Sequence, residues 1–159
     1  FLHTCFPQKL GLISPHRIAR RVLPMSLETL LEDFALFDDW EERYRFIIEL
    51  GNGLAPLTDA EHSEANKVPG CVSQVWLVTE TQDEALSFRG DSDAHIVRGL
   101  VAILLDIYKN KTRTEIASFD AESAFSQLGL SDHLTPQRSN GFYAMVQRIR
   151  NDAAAAAAD

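Results

Sequence analysis

Residues 66–79 read Asn-Lys-Val-Pro-Gly-Cys-Val-Ser-Gln-Val-Trp-Leu-Val-Thr (NKVPGCVSQVWLVT), and within them the hydrophobic period of the chain changes. Val72–Thr79 is short, β-branched and aromatic, which suits a pleated, half-buried strand. Thr81–Glu84 supplies a turn and Ala85–Arg89 (ALSFR) the returning strand of a hairpin. Trp76 alternates with Gln74 and Val78 on one strand face, and we expect its ring in the core. Gly90-Asp91-Ser92-Asp93 reads as a turn whose aspartates cap the next helix.

Outward from this hairpin the period is helical. Upstream, Ser26 is placed to cap a helix with Leu27, Leu30, Leu31 and Phe34 on one face. Asp38 or Asp39 starts a second helix, with Glu41 and Glu42 in its first turn, where the helix dipole favours acids. Trp40, Tyr44, Ile47 and Ile48 form its stripe, and Gly51 closes it. A loop marked by Pro56 and Pro69 then runs from Asn52 to Gly70. Downstream, Ala94 to about Asn110 carries apolar residues around a wide arc and reads as the central buried helix. Short helices follow near Thr114–Ala117 and Ala121–Leu128, the second ended by Gly129. Thr135-Pro136 has the cap-then-proline form of a helix start. The last helix uses Phe142, Met145, Val146 and Ile149 and is expected to fray into an alanine-rich tail from about residue 152. The expected fold class is therefore α+β, a small antiparallel sheet with helices packed on one face.

The chain has 159 residues, 45% of them apolar and 24% charged, the profile of one globular domain with a real core. No run of about 18 apolar residues exists to span a membrane. Residues 1–24 hold Lys9, Arg17, Arg20 and Arg21 and no acid. They read as a basic leader, with upstream translation ahead of a native start at Met25 favoured over a real flexible extension and over a transit presequence, whose amphipathic helix the prolines would break. From Met25 onward 11 basic residues face 23 acidic ones, a net −12. An acidic body argues against nucleic-acid binding, which needs a basic face, and suits a more basic protein partner.

Cys5 and Cys71 are too few for a disulfide framework or a thiolate metal site, which fits a reducing, cytoplasmic setting. Asp59, Glu61 and His62 precede Cys71, but their spacing matches no structural zinc pattern. Cys71 follows Pro69-Gly70, a pair suited to a constrained turn, directly before the strand. A thiol at such a tip can attack a sulfur donor and present the product to an acceptor. A free cysteine is also among the most buried residue types, so position alone leaves a packing role equally open.

The motif NKVPGCVSQVW at Asn66–Trp76, GDSDAHIVRGL at Gly90–Leu100 and HLTPQRSNG at His133–Gly141 resemble, in that order, the SufE family of sulfur acceptors. DDWEERYRFIIELG at Asp38–Gly51 is similar as well. The resemblance runs from about Leu27 to Ile149, so residues 25–159 would form a single SufE-like domain, and Cys5 inherits nothing. It implies a SufE/IscU-like fold and a carrier that is not a stand-alone enzyme. Cys71 would be the acceptor, taking persulfide sulfur from a cysteine desulfurase of the SufS or CsdA type. The carrier would stimulate that enzyme and pass sulfur to an iron–sulfur scaffold of the SufB type. No cofactor is implied in this chain, because the pyridoxal phosphate resides on the desulfurase. A monomer or a homodimer is compatible with this.

Gly70 and Gln74 flank Cys71 and are candidates for shaping its loop, with ordinary turn and strand chemistry as the competing reading; for Asp93, positioning that loop is the lesser reading beside a helix cap. His133 stands as a turn residue or a weak acid–base group. Arg138 falls in the first turn of the last helix, where the dipole would prefer an acid; a cation there suits a thiolate, a persulfide or a partner carboxylate. Two other classes compete. One is a cysteine hydrolase or transferase using Cys71, His95 or His133, and Asp93, which requires a base within hydrogen-bond reach of sulfur. The other is a non-catalytic acidic regulatory module for a desulfurase. For the carrier we expect a thiol shielded at rest and uncovered on docking, with Asn52–Gly70 as the moving part.

Overall fold

The structure is a computed structural model that describes residues 27–83 and 85–157. The leader, Cys5, the start at Met25 and the Ser26 cap lie outside the described residues.

The elements follow in the order α1 (Leu27–Ala35), α2 (Trp40–Asn52), β1 (Val75–Gln82), β2 (Ala85–Ser92), α3 (His95–Tyr108), α4 (Arg113–Ser118), α5 (Ala121–Gln127), α6 (Leu130–His133) and α7 (Pro136–Ala157). The strands form an antiparallel hairpin with Val75 opposite Ser92 and Gln82 opposite Ala85. The sheet is small and antiparallel, as expected, but β1 begins at Val75, three residues late. Ser73 and Gln74 belong to the loop that carries Cys71. Gly90, Asp91 and Ser92, expected in a turn, continue β2. Among the described residues no helix is long and apolar enough to cross a membrane.

Pleating sends Val75 and Leu77 into the core and turns Trp76 and Val78 the other way, so Trp76 is half-buried on the outer face. α3 covers the inner face. At Gly90 a Cβ would stand 2.6 Å from Val101 Cγ1, so the strand backbone and α3 nearly touch. α2 crosses α3 as closely on its other side. A Cβ on Gly99 would come 2.2 Å from Ile47 O, and one on Gly51 would come 2.6 Å from Gly99 N. Gly51 thus serves packing and does not close the helix, which runs to Asn52. Asp39 caps α2 as expected, its side chain accepting from Glu42 N at 2.8 Å.

Gly129 ends α5 as read, left-handed at φ 74° just past the Leu128 cap, and also starts the four-residue α6, which its sequence does not announce. Thr135 caps α7, accepting from Arg138 N at 3.4 Å. The alanine-rich end does not fray at 152. It stays helical to Ala157 and buries Ala153, because alanine costs least in a helix and this face still meets the core.

Candidate functional site: the Cys71 turn and its cleft

Pro69 and Gly70 occupy the centre of a tight turn. Gly70 sits at φ 89°, the left-handed value that the third position of a type II turn demands. Cys71 follows half-buried, and its Sγ lies 3.6 Å from the carbonyl of Gly141 on α7. Small residues permit this approach. A Cβ on Gly141 would be 3.5 Å from the sulfur, and one on Gly70 would be 3.5 Å from Ala144 Cβ. The sulfur opens onto a cleft of about 260 Å³, with Val72 and Ser73 on one side and Thr135, Gln137, Arg138 and Gly141 on the other. Val97, Phe142 and Met145 make its apolar floor. Val72 is 77% exposed, so a large apolar side chain stands at the rim beside the thiol.

Burial pushes the Cys71 thiol above its ordinary pKa, because the thiolate loses hydration that no nearby donor replaces. At neutral pH the resting group is therefore a protonated thiol. Arg138 lines the same cleft from the first turn of α7, and among the described residues its side chain makes no hydrogen bond or ion pair. Among the described residues that line the cleft it is the one charged side chain.

Asp93 does not cap α3, whose N-cap, Ala94, makes no side-chain bond. Its carboxylate accepts from Gln74 N at 3.0 Å, and its own N–H donates to Gln74 O at 3.2 Å. Asp93 thus holds the downstream end of the cysteine loop through the backbone of Gln74, whose exposed side chain does not line the cleft. Asp91 is not a helix cap either. It accepts from the backbone N–H of Ser92 at 2.8 Å, pairs with Arg98 at 3.0 Å and meets His62 Nε2 at 2.9 Å. That last contact raises the pKa of His62, whose ring also stands edge-on to Trp76.

His133 is not brought to the thiol. It is exposed, its ring stacks on Trp40 at 3.7 Å, and its carbonyl accepts from the Tyr44 hydroxyl. His95 is exposed at the start of α3. Among the described residues no imidazole or carboxylate hydrogen-bonds the sulfur, so the dyad required by a cysteine hydrolase is not assembled. Nor does any group of three or more His, Cys, Asp or Glu among them stand close enough to hold a metal ion.

The upstream loop is not the free segment expected. Leu57 and Val68 are buried. Arg89 of β2 forks onto Glu61 and pairs with Glu80, which holds the Glu61 carboxyl well below the usual range. Residues 66–68 pair along β1, with Val68 N on Val75 O and Leu77 N on Asn66 O, both at 2.8 Å. Fixed stems thus flank the five-residue turn 69–73 that carries Cys71. Sequence reasoning missed Glu61, Arg89 and Arg148 as loop anchors.

A thiol at a tight turn, held against a helix by small residues and opening onto a half-apolar cleft, defines a cysteine-presenting α+β domain. The chain belongs to the SufE family: the family model described as Fe-S metabolism associated domain matches residues 28–153. It has a role in iron–sulfur metabolism. An uncharacterised SufE-like protein of Rhizobium etli is 51% identical over 142 residues, spanning 87% of this chain and 96% of that protein. Another, of Rhizobium meliloti, is 48% identical over 132 residues, spanning 80% of this chain and 94% of its own. The solution structure of a hypothetical protein from Thermus thermophilus shares the fold, with a TM-score of 0.69 at 17% identity, covering 84% of this chain and 96% of that one.

Proposed function

We propose that the chain is a cytoplasmic sulfur carrier, loaded on Cys71 by a cysteine desulfurase and unloaded onto an iron–sulfur cluster scaffold. One observation carries this reading: Cys71, the one free thiol among the described residues, sits at the mouth of a cleft on a five-residue turn between fixed stems. The Cys71 thiolate attacks the outer sulfur of the donor's cysteine persulfide. A new S–S bond forms at Cys71, the donor's S–S bond breaks, and the donor leaves as a thiolate that takes up a proton. No net oxidation occurs, and no cofactor is needed on this chain; pyridoxal phosphate serves the donor. The raised thiol pKa keeps the unloaded carrier inert. Docking then withdraws the turn from Gly141 and releases the proton. Arg138 supports the negative sulfur on the side of the cleft it lines. The acidic body suits a more basic partner surface.

The test is incubation with a cysteine desulfurase and free cysteine, followed by intact-mass analysis. A mass gain of one sulfur atom on the wild type, lost in Cys71→Ser, supports the reading. If Cys71→Ser stimulates the desulfurase as well as the wild type does, the chain is an acidic regulator and the carrier reading fails.

A further inference from the structure

We infer that Arg148 is a positioning residue for the Cys71 turn, fixing the thiol to the helix that forms one wall of its cleft. Residues 66–68 run antiparallel beside β1 through an isolated bridge at Lys67. One edge is consumed by β1, through Val68 N and Asn66 O. The alternate carbonyls, Ala65 O and Lys67 O, point away from β1 and have no strand beside them. Arg148 satisfies both, donating from one terminal nitrogen to Ala65 O at 2.9 Å and from the other to Lys67 O at 3.3 Å.

The guanidinium is itself pre-set. Its Nε donates to both oxygens of Asp152, one turn on, at 3.1 and 3.2 Å. Asp152 in turn accepts from the Thr79 hydroxyl of β1 at 2.6 Å. Strand, helix and loop stem therefore share one network, with Arg148 at its centre. Its side chain is 22% exposed; its bonds to Asp152 and Lys67 O are part-buried, while the one to Ala65 O is open to solvent.

Two consequences follow for sulfur. The stem ends at Val68, and Pro69-Gly70 turn the chain straight into Cys71, so a shift of the stem moves the thiol. The other wall of the cleft, with Gly141 and Arg138, lies on the same helix as Arg148. Arg148 thus ties the stem that leads into the Cys71 turn to the helix that carries Gly141. Lysine at 148 can keep the charge beside Asp152 but cannot fork onto two carbonyls.

The location of Arg148 is independent of the carrier reading, while its role in sulfur uptake rests on it. The test is therefore made first without a partner, as the alkylation rate of Cys71 with iodoacetamide in the full chain, with folding checked by circular dichroism. Losing two charge-assisted hydrogen bonds should raise the open population, and the rate, about tenfold in R148A, with R148K between it and the wild type. R45A, which removes an exposed pair on α2, should react at the wild-type rate. Equal rates in folded R148A and wild type overturn the inference, as does an equal rise in R45A. If R148A does not fold, R148K decides, and a wild-type rate there overturns it. Sulfur uptake by mass, measured separately, tests the carrier reading whatever the alkylation result.

Discussion

Asp93 and Gln74 hold each other by two hydrogen bonds, one to the Asp93 carboxylate at 3.0 Å and one between their backbones at 3.2 Å. The pair joins the end of β2 to the residue three after Cys71. Asp93→Ala removes the charge-assisted member and leaves Gln74 N to water. We expect a loss of about 1 kcal/mol in stability and a several-fold rise in Cys71 alkylation. A denaturant melt and an alkylation time course check both. Asp93→Asn, which keeps an acceptor oxygen, should recover most of the effect.

The thiol's burial fixes the sign of its pH response. The protonated form is favoured in the fold, so reactivity should climb at higher pH than for free cysteine, whose pKa is about 8.5. A profile of alkylation rate against pH on the chain alone measures the midpoint. A saturating desulfurase partner should move it down, and an unmoved midpoint contradicts deprotonation on docking.

Gly70 separates strain from crowding. A Cβ there meets only an ordinary contact with Ala144, but φ 89° is unfavourable for alanine. Gly70→Ala should cost about 1–2 kcal/mol through the backbone, and Gly70→Asn less, because asparagine tolerates left-handed geometry. Thermal melts of the two variants provide the comparison.

At Gly99 the reverse holds, because space is absent. A methyl group 2.2 Å from Ile47 O forces α2 and α3 apart. Gly99→Ala should lose about 3 kcal/mol, lowering the Tm by on the order of 10 °C.

His62 offers a pH test away from sulfur. Its pKa is raised above 6.5, chiefly by the Asp91 carboxylate, against a smaller opposing effect of burial. A raised folded value means that the pair stabilises the fold fully below the unfolded pKa. That contribution is lost as pH rises through the folded one. An NMR titration of the His62 ring should show a midpoint above the unfolded value, and Asp91→Asn should lower it.

Much of the frame is legible in the chain because local rules agree there. Asp39 and Thr135-Pro136 announce helix starts, and Val75–Thr79 announces a strand through its β-branched and aromatic residues. Cys71 and Arg138 could be named in advance because short motifs carry them. Local rules fail where a residue answers to distant neighbours. Asp91 and Asp93 look like caps by spacing but are claimed by His62, Arg98 and Gln74. Gly51 looks like a helix stop but is small because Gly99 crosses there. His133 looks like a chemical group but is stacked on Trp40. Arg148 reaches carbonyls 81 and 83 positions away, a partnership with no periodic trace.

The bare α-carbon of Gly141 under the sulfur makes this site easy to plug. Alanine there would touch the thiol at an ordinary distance and favour the helix by about 1 kcal/mol. A leucine rooted at the same spot would lie across the hollow like a stopper, while the rim that meets a partner kept its shape. On the sulfur-carrier reading proposed above, such a variant would be a decoy, able to occupy a donor and unable to relieve it of cargo.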